Sequence, residues 1–181
     1  TLEQEARLLD FAKSDTVYHK NYDEILILLK TGLRISELCG MTVTDLDFEN
    51  HLILVNHQLL RNTELGYYIE TPKTKSSERQ VPMVEVTCQA LKRVLAVQNQ
   101  NECVEIDGYS NFLFLNRNGY PKTACDFNSI LRNLIKKYNK CHEEKLPHIT
   151  PHTLRHTFCT NCANAGMNPK ALQYIMGHAN I

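Results

Sequence analysis

The stretch HLILVNHQLLRNTELGYYIETPKTKSSERQVPM, residues 51–83, decides the fold class. Three parts of it, His51–His57, Gly66–Thr71 and Arg79–Met83, are rich in β-branched and aromatic side chains and read as strands. Pro82 has no N–H to give to a ladder, so the third strand belongs at a sheet edge. PKTKSSE lies between the second and third strands. It is polar and basic, and reads as a hairpin tip that presents Lys73 and Lys75. One small antiparallel sheet is expected from this region.

The flanking sequence has helical period. Thr1 and Gln4 stand in capping-box spacing ahead of Leu2, Ala6, Leu9 and Ala12. Asn21–Lys30 reads as a second helix, stopped by Gly32 in a left-handed cap, and a short helix follows over Ile35–Cys39. After Val84 the helical pattern returns through EVTCQALKRVLAVQNQ. Phe112–Leu115 reads as a short buried segment, and Ala124–Tyr138 as a long basic amphipathic helix. Thr150–Ala165 and Pro169–Gly177 close the chain, each opened by a cap residue before a proline. The fold class is therefore mostly α with a small antiparallel β-sheet, α+β, and 181 residues suit one domain of ordinary size, or one and a small extra.

Composition bounds the function classes. With 43% hydrophobic residues and 22% charged, the chain can bury a core and is not a disordered segment. No apolar run approaches the roughly 18 residues of a membrane span. TLEQEARLLDFAKS lacks the basic-then-apolar order of a signal peptide. Thr1 stands where an initiator Met is expected, so the chain reads as part of a longer protein. The seven cysteines are odd in number and irregularly spaced, and read as free thiols in a reducing compartment. The net charge of zero is divided unevenly. Residues 117–181 carry nine Lys/Arg against three acids, or +6, which leaves −6 for residues 1–116. One basic face turned toward an anionic partner is expected, with the acidic half facing away.

Three segments carry chemistry. In TGLRISEL, residues 31–38, Arg34 projects from the junction between a helix-ending glycine and the next helix; a surface pair with Glu37 at i+3 is the alternative. In HTLRH, residues 152–156, His152 and Arg155 share a face near a helix start, where an imidazole and a guanidinium suit a phosphate. In MGH, residues 176–178, Gly177 ends a helix and His178 leaves it. Two other chemistries compete. His152, His156, Cys159 and Cys162 offer zinc-type ligands, but a single helix does not bring four of them round one ion, so no metal is expected. Cys39 or Cys159 beside a histidine would suit a thiol hydrolase, for which no signature is present.

These segments, in this order and with the hairpin PKTKSSERQVP between the first two, resemble the tyrosine recombinase or integrase family. The stretch HTLRHTFCTNCANAGMNPKALQYIMGHANI is most similar to integrases of phages and conjugative transposons. The resemblance covers nearly all of residues 1–181 as a tyrosine-recombinase catalytic domain, without the upstream core-binding domain. It implies site-specific DNA recombination, the integration and excision of a mobile element. A strand is cleaved and rejoined through a 3′-phosphotyrosine, with no metal or nucleotide cofactor. It assigns Arg34 and Arg155 as the phosphate clamp, His178 as a further donor, Lys73 as the acid for the leaving 5′-oxygen, with Lys75 the alternative, and His152 as an aid to proton transfer. Lys75, Arg79, Lys122, Arg132 and Lys136 are expected DNA contacts.

The family's nucleophilic tyrosine follows the Gly-His by about nine residues, and the chain ends at Ile181. None of the eight tyrosines takes that place, and Tyr174 reads as a helix residue that packs or is half exposed. Residues 1–181 alone are therefore expected not to cleave DNA. The expected partners are double-stranded DNA at recombination sites, a tetramer of recombinase protomers and an excision factor. The expected location is the bacterial cytoplasm, at the nucleoid. A non-catalytic DNA-binding module and a type IB topoisomerase-like strand transferase are the alternative functions.

Overall fold

The structure is a computed structural model, which describes residues 1–71, 78–97 and 104–177. Seven α-helices, two short 3₁₀ helices (His19–Asn21 and Val43–Asp45) and five short strands are present among these residues. Helices α1 (Leu2–Ser14), α2 (Tyr22–Thr31) and α3 (Ile35–Gly40) come first. Strands β1 (Leu46–Asp47), β2 (Leu52–Val55), β3 (Gln58–Asn62), β4 (Gly66–Glu70) and β5 (Arg79–Pro82) follow. Helices α4 (Glu85–Val97), α5 (Ala124–Cys141), α6 (Pro151–Asn164) and α7 (Pro169–Met176) complete the order.

Local chemistry sets the helix ends. Thr1 and Gln4 form the reciprocal capping box of α1. Thr150 caps α6 ahead of Pro151, and Asn168 caps α7 ahead of Pro169. Helix α2 is the centre of the molecule. Ile25, Leu26, Ile27, Leu28 and Leu29 are all buried, so the helix is apolar all round and is covered by α1, α4 and α6. Each such side chain contributes about 1.5–3 kcal/mol on burial. At its end Gly32 adopts φ +65°, and a Cβ there would lie 2.3 Å from the Phe158 ring of α6. Only glycine gives both that backbone and that approach. The carbonyl of Gly32 thereby faces α6.

The strands form two sheets where one was expected. The three-stranded antiparallel sheet has the order β1-β2-β5, and β3 pairs with β4 in a separate hairpin. The second and third expected strands, β4 and β5, are thus not partners among the described residues. β5 runs beside β2, with Leu52 opposite Pro82 and Val55 opposite Arg79. Pro82 does lie on an edge strand, where its missing N–H leaves no ladder bond unmade. Alternation along β5 turns Arg79 and Val81 inward and Gln80 and Pro82 outward. Part of the basic half is taken up by the acidic one: Lys122 and Lys137 pair with Glu24 and Asp15. No helix among the described residues is long and apolar enough to cross a membrane.

Candidate functional site

Four charged side chains, two from the start of α3 and one each from β5 and α6, meet at the C-terminal end of α7. Arg34 immediately precedes α3 and has an extended backbone, φ −67° and ψ 148°. Glu37, in the first turn of α3, reaches back to accept from the Arg34 N–H at 2.8 Å and from its Nη1 at 2.8 Å. From β5, Arg79 donates to the two oxygens of the same carboxylate at 2.9 and 2.7 Å. Arg155 rises from α6, buried, and donates to the carbonyl of Gly32 at the end of α2.

Three successive carbonyls leaving α7 are each taken by a different guanidinium. Ile175 O accepts from Arg79 Nε at 2.6 Å, Met176 O from Arg155 Nη2, and Gly177 O from Arg34 Nη2 at 2.9 Å. A helix leaves its last carbonyls without internal partners, and its C-terminal end carries partial negative charge. The arginines satisfy both. In doing so they fix Arg34 and Arg155, which are far apart in sequence, at one place.

The electrostatics favour an anion. Three guanidiniums against one carboxylate leave a local charge of +2 (Arg34, Arg79 and Arg155 less Glu37). Burial would raise the Glu37 carboxyl, but the hydrogen bonds and charge of Arg79, with the bonds from Arg34, outweigh it and hold the group below the usual carboxylate range. Arg155 is pushed down to about 10, first by burial and then by the like charges of Arg34 and Arg79, with Glu37 acting the other way. An anion placed against this guanidinium relieves the like-charge repulsion. Arg34 is the accessible member, with 39% of its side chain exposed. Among contacts between described residues it uses two of its five side-chain N–H donors, on Glu37 and Gly177.

Gly177 is a structural condition of the site. It sits at φ +62°, and a Cβ there would lie 3.0 Å from Arg79 Nη1 and 3.2 Å from Arg34 Nη1. Gly177→Ala is expected to cost about 1–2 kcal/mol for the left-handed backbone and to push both guanidiniums away from α7. Thermal melts against wild type check the first effect. A loss of inorganic phosphate binding larger than the melt accounts for checks the second.

The remaining expected site residues divide. His152 is exposed one turn before Arg155 on α6, and its Nε2 lies 2.7 Å from His156 Nε2. Lys73, Lys75 and His178 lie outside the described residues. Arg132 and Lys136 are exposed on α5, where Lys140 continues an i, i+4, i+8 stripe. Lys122 is half-buried against Glu24. The position of Arg79 is a correction: it is 2% exposed and bonded to Glu37 and Ile175, not on a DNA-facing surface. Alternation along β5 puts Arg79 on the same face as Val81, and the register against β2 turns that face inward. Glu37 was expected only as a surface partner of Arg34, whereas it is buried and holds a second arginine.

His152, His156, Cys159 and Cys162 do not converge as a three-ligand group. Cys39 is buried, and burial followed by the charges of Asp126 and Glu24 pushes its thiol far up, away from a nucleophilic thiolate. The hydroxyl of Tyr174 accepts from the Gln80 N–H at 3.1 Å.

The model of the phage integrase family matches residues 1–181. The transposase from transposon Tn916 of Enterococcus faecalis is 73% identical over 181 residues, which is all of this chain and 45% of that protein. The structure of the Tn1549 transposon integrase in complex with circular intermediate DNA aligns at 61% identity and TM-score 0.96, covering 99% of this chain and 58% of that one. The crystal structure of XerA recombinase aligns at 27% identity and TM-score 0.72, covering 99% and 56%. The chain spans about half the length of the curated relatives it matches.

Proposed function

The chain belongs to the phage integrase family of tyrosine recombinases, and we propose that residues 1–181 are the catalytic domain of a longer protein that cleaves and rejoins DNA at recombination sites. The observation that carries this reading is the meeting of Arg34 and Arg155 at the end of α7 with a surplus of positive charge. The scissile phosphate sits against these two guanidiniums. Each fork binds non-bridging oxygens and keeps its proton at neutral pH. A tyrosine downstream of Ile181 attacks phosphorus, the bond to the 5′-oxygen breaks, and a 3′-phosphotyrosine forms. Lys73 gives its proton to the departing 5′-oxygen, with Lys75 the alternative, while His152 accepts the tyrosine proton. His178 donates to the same phosphate. The negative charge that grows on the oxygens in the transition state is met by cations already fixed in place, so little reorganisation is needed as the bond breaks. Rejoining reverses the steps with a new 5′-hydroxyl.

The partner is double-stranded DNA, as in the Tn1549 integrase complex. A core-binding domain upstream completes the clamp on the duplex. A tetramer of protomers performs the exchange, an excision factor sets its direction, and the reaction takes place at the bacterial nucleoid. The direct test is incubation of the tyrosine-containing protein with a nicked substrate that traps the intermediate. A covalent adduct to the 3′-phosphate supports the reading; an adduct to the 5′-phosphate, or none, overturns it.

Binding is expected to be dominated by backbone contacts and to weaken steeply with salt. The stripe of Arg132 and Lys136 on α5 contributes to it. Arg132→Ala and Lys136→Ala are each expected to lower the log–log salt slope by about 1 and to weaken all sequences evenly. Titrations at several salt concentrations check this, and an unchanged slope assigns the contacts elsewhere.

A further inference from the structure

His51, Glu85 and Cys88 place an imidazole nitrogen, a carboxylate oxygen and a thiol sulfur all within 4.8 Å of one another. We propose that these three side chains bind a divalent transition metal of the zinc class, which ties the turn between β1 and β2 to the first turn of α4. The function of the arginine site does not require this, and nothing in the strand-transfer reading uses these residues.

Two elements supply the ligands. Glu85 opens α4, and Cys88 follows at i+3, so both lie on one face of its first turn. His51 ends the β1–β2 turn. Its carbonyl accepts from the Met83 N–H at 2.7 Å, which holds that turn beside the start of α4. Its Nδ1 lies 3.2 Å from Cys88 Sγ. The backbone of His51 is left-handed, with φ +56°, a conformation that histidine adopts more readily than most side chains. The turn aims its imidazole at a buried thiol. Cys88 is 1% exposed, whereas the His51 and Glu85 side chains reach solvent, so an ion enters from their side.

The donor set selects the metal. Thiolate, imidazole and carboxylate together suit Zn²⁺ or Co²⁺, and are a poor match for Mg²⁺ or Ca²⁺, which prefer oxygen ligands. Tetrahedral bonds of about 2.0–2.3 Å require the three groups to close slightly. Glu85 is free to do so by releasing Gln89, whose Nε2 it accepts at 2.9 Å. On binding, the Cys88 proton passes to solvent and the sulfur pair bonds the ion, with water in the fourth position. The site lies at the opposite end of the β2–β5 ladder from Arg79, since Leu52 pairs with Pro82 and Val55 with Arg79. Its role is therefore to staple the fold, not to touch the phosphate.

The test is a Co²⁺ titration of the purified protein, followed by optical absorption. One equivalent is expected to give a thiolate-to-cobalt charge-transfer band. Cys88→Ser abolishes the band, and His51→Asn weakens binding at least about tenfold. Asparagine tolerates the left-handed backbone, so this variant keeps the turn. Cys159→Ala leaves the band intact. In parallel, Zn²⁺ raises the Tm of wild type more than that of His51→Asn, and Mg²⁺ raises neither. A band that survives Cys88→Ser, no band at all, or an equal Tm response in wild type and His51→Asn overturns the site. These readouts involve no DNA, so they stand or fall apart from the recombinase reading.

Discussion

Arg34→Ala is expected to slow DNA strand cleavage by the tyrosine-containing protein about 10²–10³-fold, the scale for losing a preorganised donor to a developing oxyanion. The side chain is partly exposed, and its guanidinium is the one most open to an incoming phosphate. Arg34→Lys is expected to be harmful as well, because a point charge cannot reproduce a fork that serves Glu37, Gly177 O and a phosphate together. Arg155→Ala lowers cleavage on the same scale and also destabilises the domain, since the carbonyls of Gly32 and Met176 lose their partner. Single-turnover cleavage of a nicked substrate, with DNA affinity measured alongside, separates these effects. Affinity is expected to change little, because phosphate contacts elsewhere carry most of it.

The second large effect belongs to Glu37. Its carboxylate is 7% exposed and faces Arg79, whose side chain is 1% exposed. Removing one member of a buried pair leaves an uncompensated charge, at a cost of about 3–5 kcal/mol. Glu37→Ala is expected to lose that much, a large share of the stability of a domain this size. Glu37→Gln keeps the shape and one acceptor and is expected to lose less. The pH dependence has a definite sign. The carboxyl is held below its ordinary 4.5 in the fold, so its contribution is complete above about 4.5 and is lost as pH falls through the folded value. The stability gap between wild type and Glu37→Gln should therefore shrink at acid pH, as urea melts at several pH values would record. A gap that stays constant would place the stabilisation in packing, not charge.

What could be read from the sequence was chiefly local. Caps at Thr1, Gly32, Thr150 and Asn168 are decided within a few residues, and the helices they bound stand where expected. Strand pairing is decided at long range, and there the reading fell short. β3, with the sequence QLLRN, lacks the β-branched residues that mark a strand, so the hairpin it forms with β4 was missed. β5 was accordingly given the wrong partner. The same gap hid Arg79. A charged residue beside a basic hairpin suggests a surface contact, and only the register against β2 makes its inward face plain. The pairing of Arg34 with Glu37 was visible at i+3, but its burial was not. That Arg34 and Arg155 belong to one site came from the likeness to a family, not from spacing. The physical reason for it, three carbonyls at the end of α7 each claimed by an arginine, exists only in the folded chain.

The most direct test of the clamp is a change in the substrate. A methylphosphonate at the scissile position replaces one charged non-bridging oxygen with a neutral methyl group, and so removes the charge that Arg34 and Arg155 are fixed to meet. Cleavage of the phosphate and methylphosphonate substrates should be compared for wild type, Arg34→Ala and Arg155→Ala in the tyrosine-containing protein. If the guanidiniums offset phosphate charge, the deficit of about 10²–10³-fold on the phosphate shrinks to about tenfold or less on the neutral substrate. An equal deficit on both substrates would contradict a charge-neutralising role for the arginines at the end of α7.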